Sequence, residues 1–263
     1  MSFNDEWSYP KDHPLSADEA KRLIGGELGW QLRRMIAASC SPLYWHGADE
    51  NGRSRILHNG TVTYIRGDDG IIGVTACHVI DEYLARGAGC PLQIGDAAYD
   101  LDLIDRNDDL DLASIAIPEA VIRSVGKDVM TISLPRPGDV PQEGRGIMLG
   151  GFPGLERREA EQMQVGWGLF TAIGIVRRLN ERQITWVPDH ENHMPVDGIP
   201  DLPPNRELGG ISGGPVIAWF EKTGGLLSYC SLAGIIVQAN SDLELVVARR
   251  SEYINSNGKI ASW

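Results

Sequence analysis

The chain has 263 residues, 42% of them hydrophobic and 23% charged, which is the composition of a globular protein able to bury a core. A formal net charge of −12 without any cluster of Lys and Arg argues against nucleic acid and acidic membranes as partners, because phosphate surfaces are bound by grouped cations. No apolar run approaches bilayer-spanning length, and Met1-Ser2-Phe3-Asn4-Asp5-Glu6 has neither the basic flank nor the apolar segment of a secretory leader, so a cytoplasmic location is expected. Cys40, Cys77, Cys90 and Cys230 lie far apart with no Cys-x-x-Cys spacing and read as free thiols.

Pro10 and Pro14 among polar residues suit an extended tail, after which Ser16-Ala17-Asp18-Glu19 reads as a capping box that opens a short helix. Gly25-Gly26 weakens its continuation, and Leu28 to Ile36 fits either a second helical stretch or an entering strand. From about residue 40 short apolar or alternating runs are separated by Gly, Asp, Asn and Pro: 60–65, 70–74, 101–104 and 112–117. After the connection Pro135-Arg136-Pro137-Gly138 the runs resume at 146–149, 166–176, 184–187, 215–220, 233–237 and 243–248. This is strand and turn spacing of an all-β sandwich or barrel. Three parts are expected: an N-terminal tail and helical extension over 1–39, one β unit over 40–135 and a second over 136–263.

Gly209-Gly210-Ile211-Ser212-Gly213-Gly214-Pro215 is the most informative stretch. A hydroxyl that attacks a carbonyl needs backbone N–H groups aimed at the developing oxyanion, and glycines around the serine permit the required dihedrals. A base is also needed. Val74-Thr75-Ala76-Cys77-His78-Val79 places a histidine just after an apolar strand, and an imidazole near neutrality can take the serine proton and return it. Asp111, at the start of the apolar run Leu112 to Ile117, is the carboxylate placed to orient that imidazole, while Asp108 and Asp109 read as solvated turn residues. The remaining histidines, His13, His46, His58, His190 and His193, are expected at the surface.

On these residues the chain resembles the chymotrypsin-like serine peptidases, and within them the bacterial Deg-type and glutamyl-endopeptidase-like branch. Thr75-Ala76-Cys77-His78-Val79 is similar to that family's Thr-Ala-x-His-Val, Asp111-Leu112-Ala113 to its Asp-Leu-Ala, and Gly210-Ile211-Ser212-Gly213-Gly214-Pro215 to its Gly-x-Ser-Gly-Gly-Pro. Gly151-Phe152-Pro153-Gly154 is similar to the turn placed early in the second barrel, and Gly234-Ile235-Ile236 to the strand lining the substrate cleft. The resemblance implies two antiparallel six-stranded β-barrels with His78, Asp111 and Ser212 as a triad between them, and a C-terminal helix around Ser251 to Asn255. It further implies an oxyanion hole made by the N–H groups of Gly210 and Ser212, a protein or peptide substrate, and no metal or organic cofactor.

Two departures stand out. Cys77 precedes the histidine, so the disulfide of the secreted animal enzymes does not carry over, and Ile211 replaces the aspartate that receives a newly cut N-terminus in zymogen-activated relatives. Counting back from Ser212 puts the floor of the specificity pocket near Arg206, with Val237, Gln238, Ala239 and Leu245 in its walls. Arg206 facing inward would favour acidic substrates; facing solvent, it would leave small apolar ones favoured. Restraint of such an enzyme would fall to the segment before residue 40 or to a regulatory protein partner. Two other readings are a catalytically silent peptidase-like scaffold and a metal site on Asp189-His190-Glu191-Asn192-His193, the latter lacking the helical spacing that makes such sites specific.

Overall fold

A computed structural model describes residues 25–48, 51, 55–87, 89–125, 132–134, 141–159, 165–188, 207–221, 228–242 and 244–261. The capping box at Ser16, the Pro-rich connection at 135–140, Arg206 and the 189–193 loop lie outside them. Helix α1 (Glu27–Ser39) resolves the ambiguity after Gly25-Gly26, and its buried residues Gly29, Leu32, Ile36 and Ser39 recur at helical spacing on one face. Arg33 ties that helix to the second half of the molecule, its guanidinium donating to Thr171 Oγ1 and Leu169 O.

The first sheet is built from β1 (Cys40–Ala48), β2 (Arg55–Arg66), β3 (Ile71–Thr75), β4 (Leu92–Ile94), β5 (Ala97–Tyr99), β6 (Leu103–Asn107) and β7 (Leu112–Ile117). Its strand order is β5-β4-β1-β2-β3-β7-β6, antiparallel throughout. Helix α2 (Cys77–Arg86) follows β3, and a short α3 (Glu119–Ser124) follows β7. A small ribbon pairs β9 (Arg157–Glu159) with β10 (Val165–Trp167). The second sheet uses β8 (Gly146–Gly151), β11 (Phe170–Ile175), β12 (Arg178–Leu179), β13 (Gln183–Trp186), β14 (Pro215–Glu221), β15 (Ser228–Asn240) and β16 (Leu245–Arg250). Its order is β11-β8-β14-β15-β16-β13-β12, again antiparallel. Two curled antiparallel sheets with few helices are consistent with the chymotrypsin-like double-barrel fold, with seven strands in each half rather than the expected six. The short hairpin β4–β5 on the edge of the first sheet has strands of three residues, too brief to show a sequence pattern.

The two-residue period of a strand partitions the second sheet between two cores. Met148, Ile217 and Val247 join one apolar cluster with the first sheet and α1, while their neighbours Ile147, Leu149, Val216, Ala218, Val246 and Ala248 form a second cluster on the opposite face. The larger core therefore runs continuously between the halves, and the elements that meet there are held in fixed relation.

The C-terminal segment departs from expectation. Among the described residues it carries only a 3-10 turn, Ser251–Tyr253, and no α-helix, because Asn255-Ser256-Asn257-Gly258 turns the chain, with Gly258 at φ +82°. Beyond that turn it runs back over the first sheet: Gly258 O accepts Ser114 Oγ at 2.6 Å, Ile260 N–H donates to Asp105 at 3.0 Å, and Ala261 O accepts Asn107 Nδ2 at 3.3 Å. His58 is also a correction. It is buried rather than at the surface, stacked on Trp45, with Nδ1 3.1 Å from Glu82 and Nε2 2.9 Å from Ala48 O, so both ring nitrogens are satisfied inside.

Candidate active site

His78 and Asp111 meet through the capping of a helix. Helix α2 begins one residue after β3 with no side-chain cap of its own, leaving its first N–H groups to be satisfied from elsewhere. Asp111, in the turn between β6 and β7, supplies both acceptors: its carbonyl takes Cys77 N–H at 3.2 Å and its Oδ1 takes His78 N–H at 3.0 Å. The placement requires Asp111 to adopt φ +54°, a left-handed conformation that aspartate tolerates better than most residues. Its second oxygen, Oδ2, accepts His78 Nδ1–H at 2.7 Å. That bond raises the His78 pKa, partly offset by burial, and it leaves Nε2 as the nitrogen free to take a proton. Asp108 is engaged otherwise, pairing with Arg106, which also grips Asp81 in a bidentate contact at 2.7 and 3.1 Å.

Ser212 is placed by backbone geometry. Gly210 and Gly213 have φ of +100° and +92°, and a Cβ on Gly213 would lie 1.8 Å from Thr61 O, so only glycine fits there. Gly214 is as restricted, its Cβ position lying 2.0 Å from Gly150 O. The loop is stitched to β15 by Gly213 N–H to Ile236 O at 2.7 Å and Ile236 N–H to Gly214 O at 2.8 Å. Ile211 is fully buried and donates its N–H to Leu208 O. Among the described residues the N–H groups of Gly210 and Ser212 have no protein acceptor.

The structure brings His78, Asp111 and Ser212 to one cleft of about 370 Å³, where Ser212 Oγ makes no hydrogen bond to His78. Val237, Gln238 and Ala239 form a wall of this cleft, and a β-bulge between Ile236 and Gln238 leaves Val237 as the extra residue that turns the strand toward it. Leu245 is not in the lining; it pairs with Asn240 at the hairpin end and packs against the larger core. Arg249 is a lining residue that sequence reasoning missed. Its Nε donates to Leu110 O at 2.8 Å and its Nη1 to Gln183 Oε1 at 3.1 Å, bracing the residue next to Asp111. The available signal was alternation, since Arg249 shares a strand face with the interface residue Val247.

All four cysteines are free, and burial pushes the Cys77 thiol beside His78 up to about 12. Among the described residues no group of three His, Cys, Asp or Glu could hold a metal ion, and no helix is long and apolar enough to cross a membrane.

The fold and this cleft define an antiparallel two-sheet β protein with a hydrogen-bonded His–Asp pair in one half and a glycine-framed serine in the other. No family model and no curated relative matches the chain. Among solved structures it is similar to the Rv3671c protease from M. tuberculosis in its active form, at 16% identity over 84% of this chain and 81% of that one, with a TM-score of 0.47.

Proposed function

We propose that the chain is a serine endopeptidase that cuts protein or peptide substrates through an acyl-enzyme. Ser212 Oγ attacks the scissile carbonyl as His78 Nε2 takes its proton, and the proton passes to the leaving amine as the first product departs. Water then attacks the ester with His78 again as base. Asp111 keeps the imidazole in the reactive tautomer and offsets its charge, and the N–H groups of Gly210 and Ser212 receive the oxyanion. The reading rests on one observation above the others: the 2.7 Å His78–Asp111 bond opens onto the cleft that holds Ser212. The absence of a hydrogen bond between Ser212 and His78 favours the second reading, a catalytically silent scaffold that binds a protein partner, although such bonds often tighten only with substrate bound.

Labelling by a fluorophosphonate probe separates the two, since it needs an activated serine. The expected result is one adduct on Ser212, absent from Ser212→Ala, whose turnover falls on the order of 10⁶-fold as in triad knockouts of an unrelated serine protease. No labelling of the purified chain, with or without cell lysate, would overturn the enzymatic reading. The same reading divides the chain into a base-bearing unit over 40–135 and a nucleophile-bearing unit over 136–263, and a reducing, cytoplasmic setting suits its four free thiols.

A further inference from the structure

The two peptide planes that would present the oxyanion donors are each held by their carbonyl. A trans peptide is planar with N–H and C=O opposed, so fixing one aims the other. Ile211 O, in the plane that presents Ser212 N–H, accepts Gly214 N–H at 2.8 Å, a bond internal to the loop. Gly209 O, in the plane that presents Gly210 N–H, is held from outside, by Gly154 N–H at 2.7 Å. Gly209 is exposed, so water can replace Gly154 as its donor. The aim of Gly210 N–H therefore depends on how firmly Gly154 is seated.

Side chains of β2 seat it. Phe152 N–H donates to Thr61 Oγ1 at 3.0 Å, and Asn59 Nδ2 donates to Phe152 O at 2.8 Å, so both backbone groups of Phe152 are taken. The same Thr61 hydroxyl donates to Gly210 O at 2.9 Å, while Thr61 N–H donates to Ser212 O at 2.8 Å. Thr61 is fully buried and Asn59 packs where a Cβ on Gly210 would be, 2.2 Å from its Nδ2. One threonine thus bonds the turn after β8 and the nucleophile loop together.

We propose that Asn59 and Thr61 are positioning residues that set the oxyanion hole through the Phe152–Gly154 turn. The inference rests on the endopeptidase reading above. In place of an ion pair beside the serine, which the buried Ile211 forecloses, neutral hydrogen bonds from the first sheet aim the donor in the second.

The test compares Thr61→Val, nearly isosteric but lacking the hydroxyl, with Thr61→Ser, which keeps it, and adds Asn59→Ala as a partly buried second probe. Readouts are kcat and KM on a peptide ester, and affinity for a peptide aldehyde, whose adduct places an oxyanion in the hole, against that for the product peptide. Thr61→Val should lower kcat by about 10- to 100-fold with KM little changed, the size expected of a sub-ångström to 1 Å misplacement. Aldehyde affinity should fall in parallel, product affinity should hold, Thr61→Ser should restore both, and Asn59→Ala should shift the same way as Thr61→Val. Wild-type kcat and aldehyde affinity in both Thr61→Val and Asn59→Ala would overturn the proposal alone. A loss confined to KM, or one that Thr61→Ser shares in full, would also overturn it. A wild-type chain that neither turns over ester nor labels with the probe would overturn the endopeptidase reading on which it stands.

Discussion

The two halves of the candidate site are built by different means. In the first, an aspartate already needed to cap α2 also binds the imidazole, so a folding contact and a chemical contact share one carboxylate. In the second, the serine loop is anchored by the buried, non-reacting Ile211 and shaped by glycine dihedrals and by hydrogen bonds to its backbone, those from Thr61 and Thr63 included. Side-chain chemistry is thus concentrated in one half and backbone precision in the other. The first should fail by changing chemistry while the fold survives; the second should fail by losing its shape.

Asp111→Asn should give the largest chemical effect, on the order of 10⁴ in turnover by the handicap known for the wrong histidine tautomer in this fold class. The amide can still accept His78 N–H, so the thermal midpoint should move little, and calorimetry beside kinetics checks both parts. A comparable loss in Asp108→Asn, whose carboxylate serves Arg106, would show the wrong aspartate to have been assigned. Gly213→Ala breaks the other half. Left-handed strain of about 1–2 kcal/mol and overpacking of about 1–3 kcal/mol against Thr61 O should together cost about 2–5 kcal/mol, read as a drop in denaturant midpoint with activity lost alongside.

A pH profile sharpens the contrast, because only the first half titrates. The base must be neutral, and the Asp111 bond raises His78, so the acid limb of kcat/KM should fall above the ordinary histidine value of about 6.5. Stability runs the opposite way: the His78⁺–Asp111 contribution is fully present below the unfolded histidine value and is lost as pH rises through the raised folded one. With half of the His78 side chain exposed that loss should be small. An acid limb below the ordinary value would contradict the geometry. The smallest effect is expected from thiol reagents and reductants. Burial keeps Cys77 protonated at neutral pH despite its place beside His78, so brief alkylation or added reductant should leave activity within about twofold.

The three residues that meet in the cleft were legible because each sits in a short local pattern: His78 after an apolar strand, Asp111 before one, Ser212 among glycines. Their support was not. Asn59, Thr61 and Thr63 alternate along β2 as a polar stripe, yet Thr61 and Thr63 are fully buried under the serine loop. Alternation separates the faces of a strand without telling what covers each, and here a polar face is covered by backbone that needs donors. His58 was misplaced for the same reason, its partners Glu82 and Ala48 being distant in sequence. The expected helix near Ser251 failed on a local signal that outweighed family resemblance, the turn-forming Asn255 to Gly258. Leu245 was expected in a pocket wall, yet it pairs with Asn240 at the hairpin end, beyond the cleft-lining residues Val237, Gln238 and Ala239.

The returning C-terminal segment carries a consequence for the order in which the molecule is made. Asn107 holds Leu110 N–H through its Oδ1 at 3.1 Å and Ala261 O through its Nδ2, so the turn bearing Asp111 is braced by chain that lies 154 residues further on. At a ribosomal rate of about 5–20 residues per second that distance takes about 8–30 s to synthesise. The serine loop is made within that interval, whereas the strap over β6 and β7 comes only at its end. Full bracing of the turn that bears Asp111 is thereby deferred until residue 261 has been made.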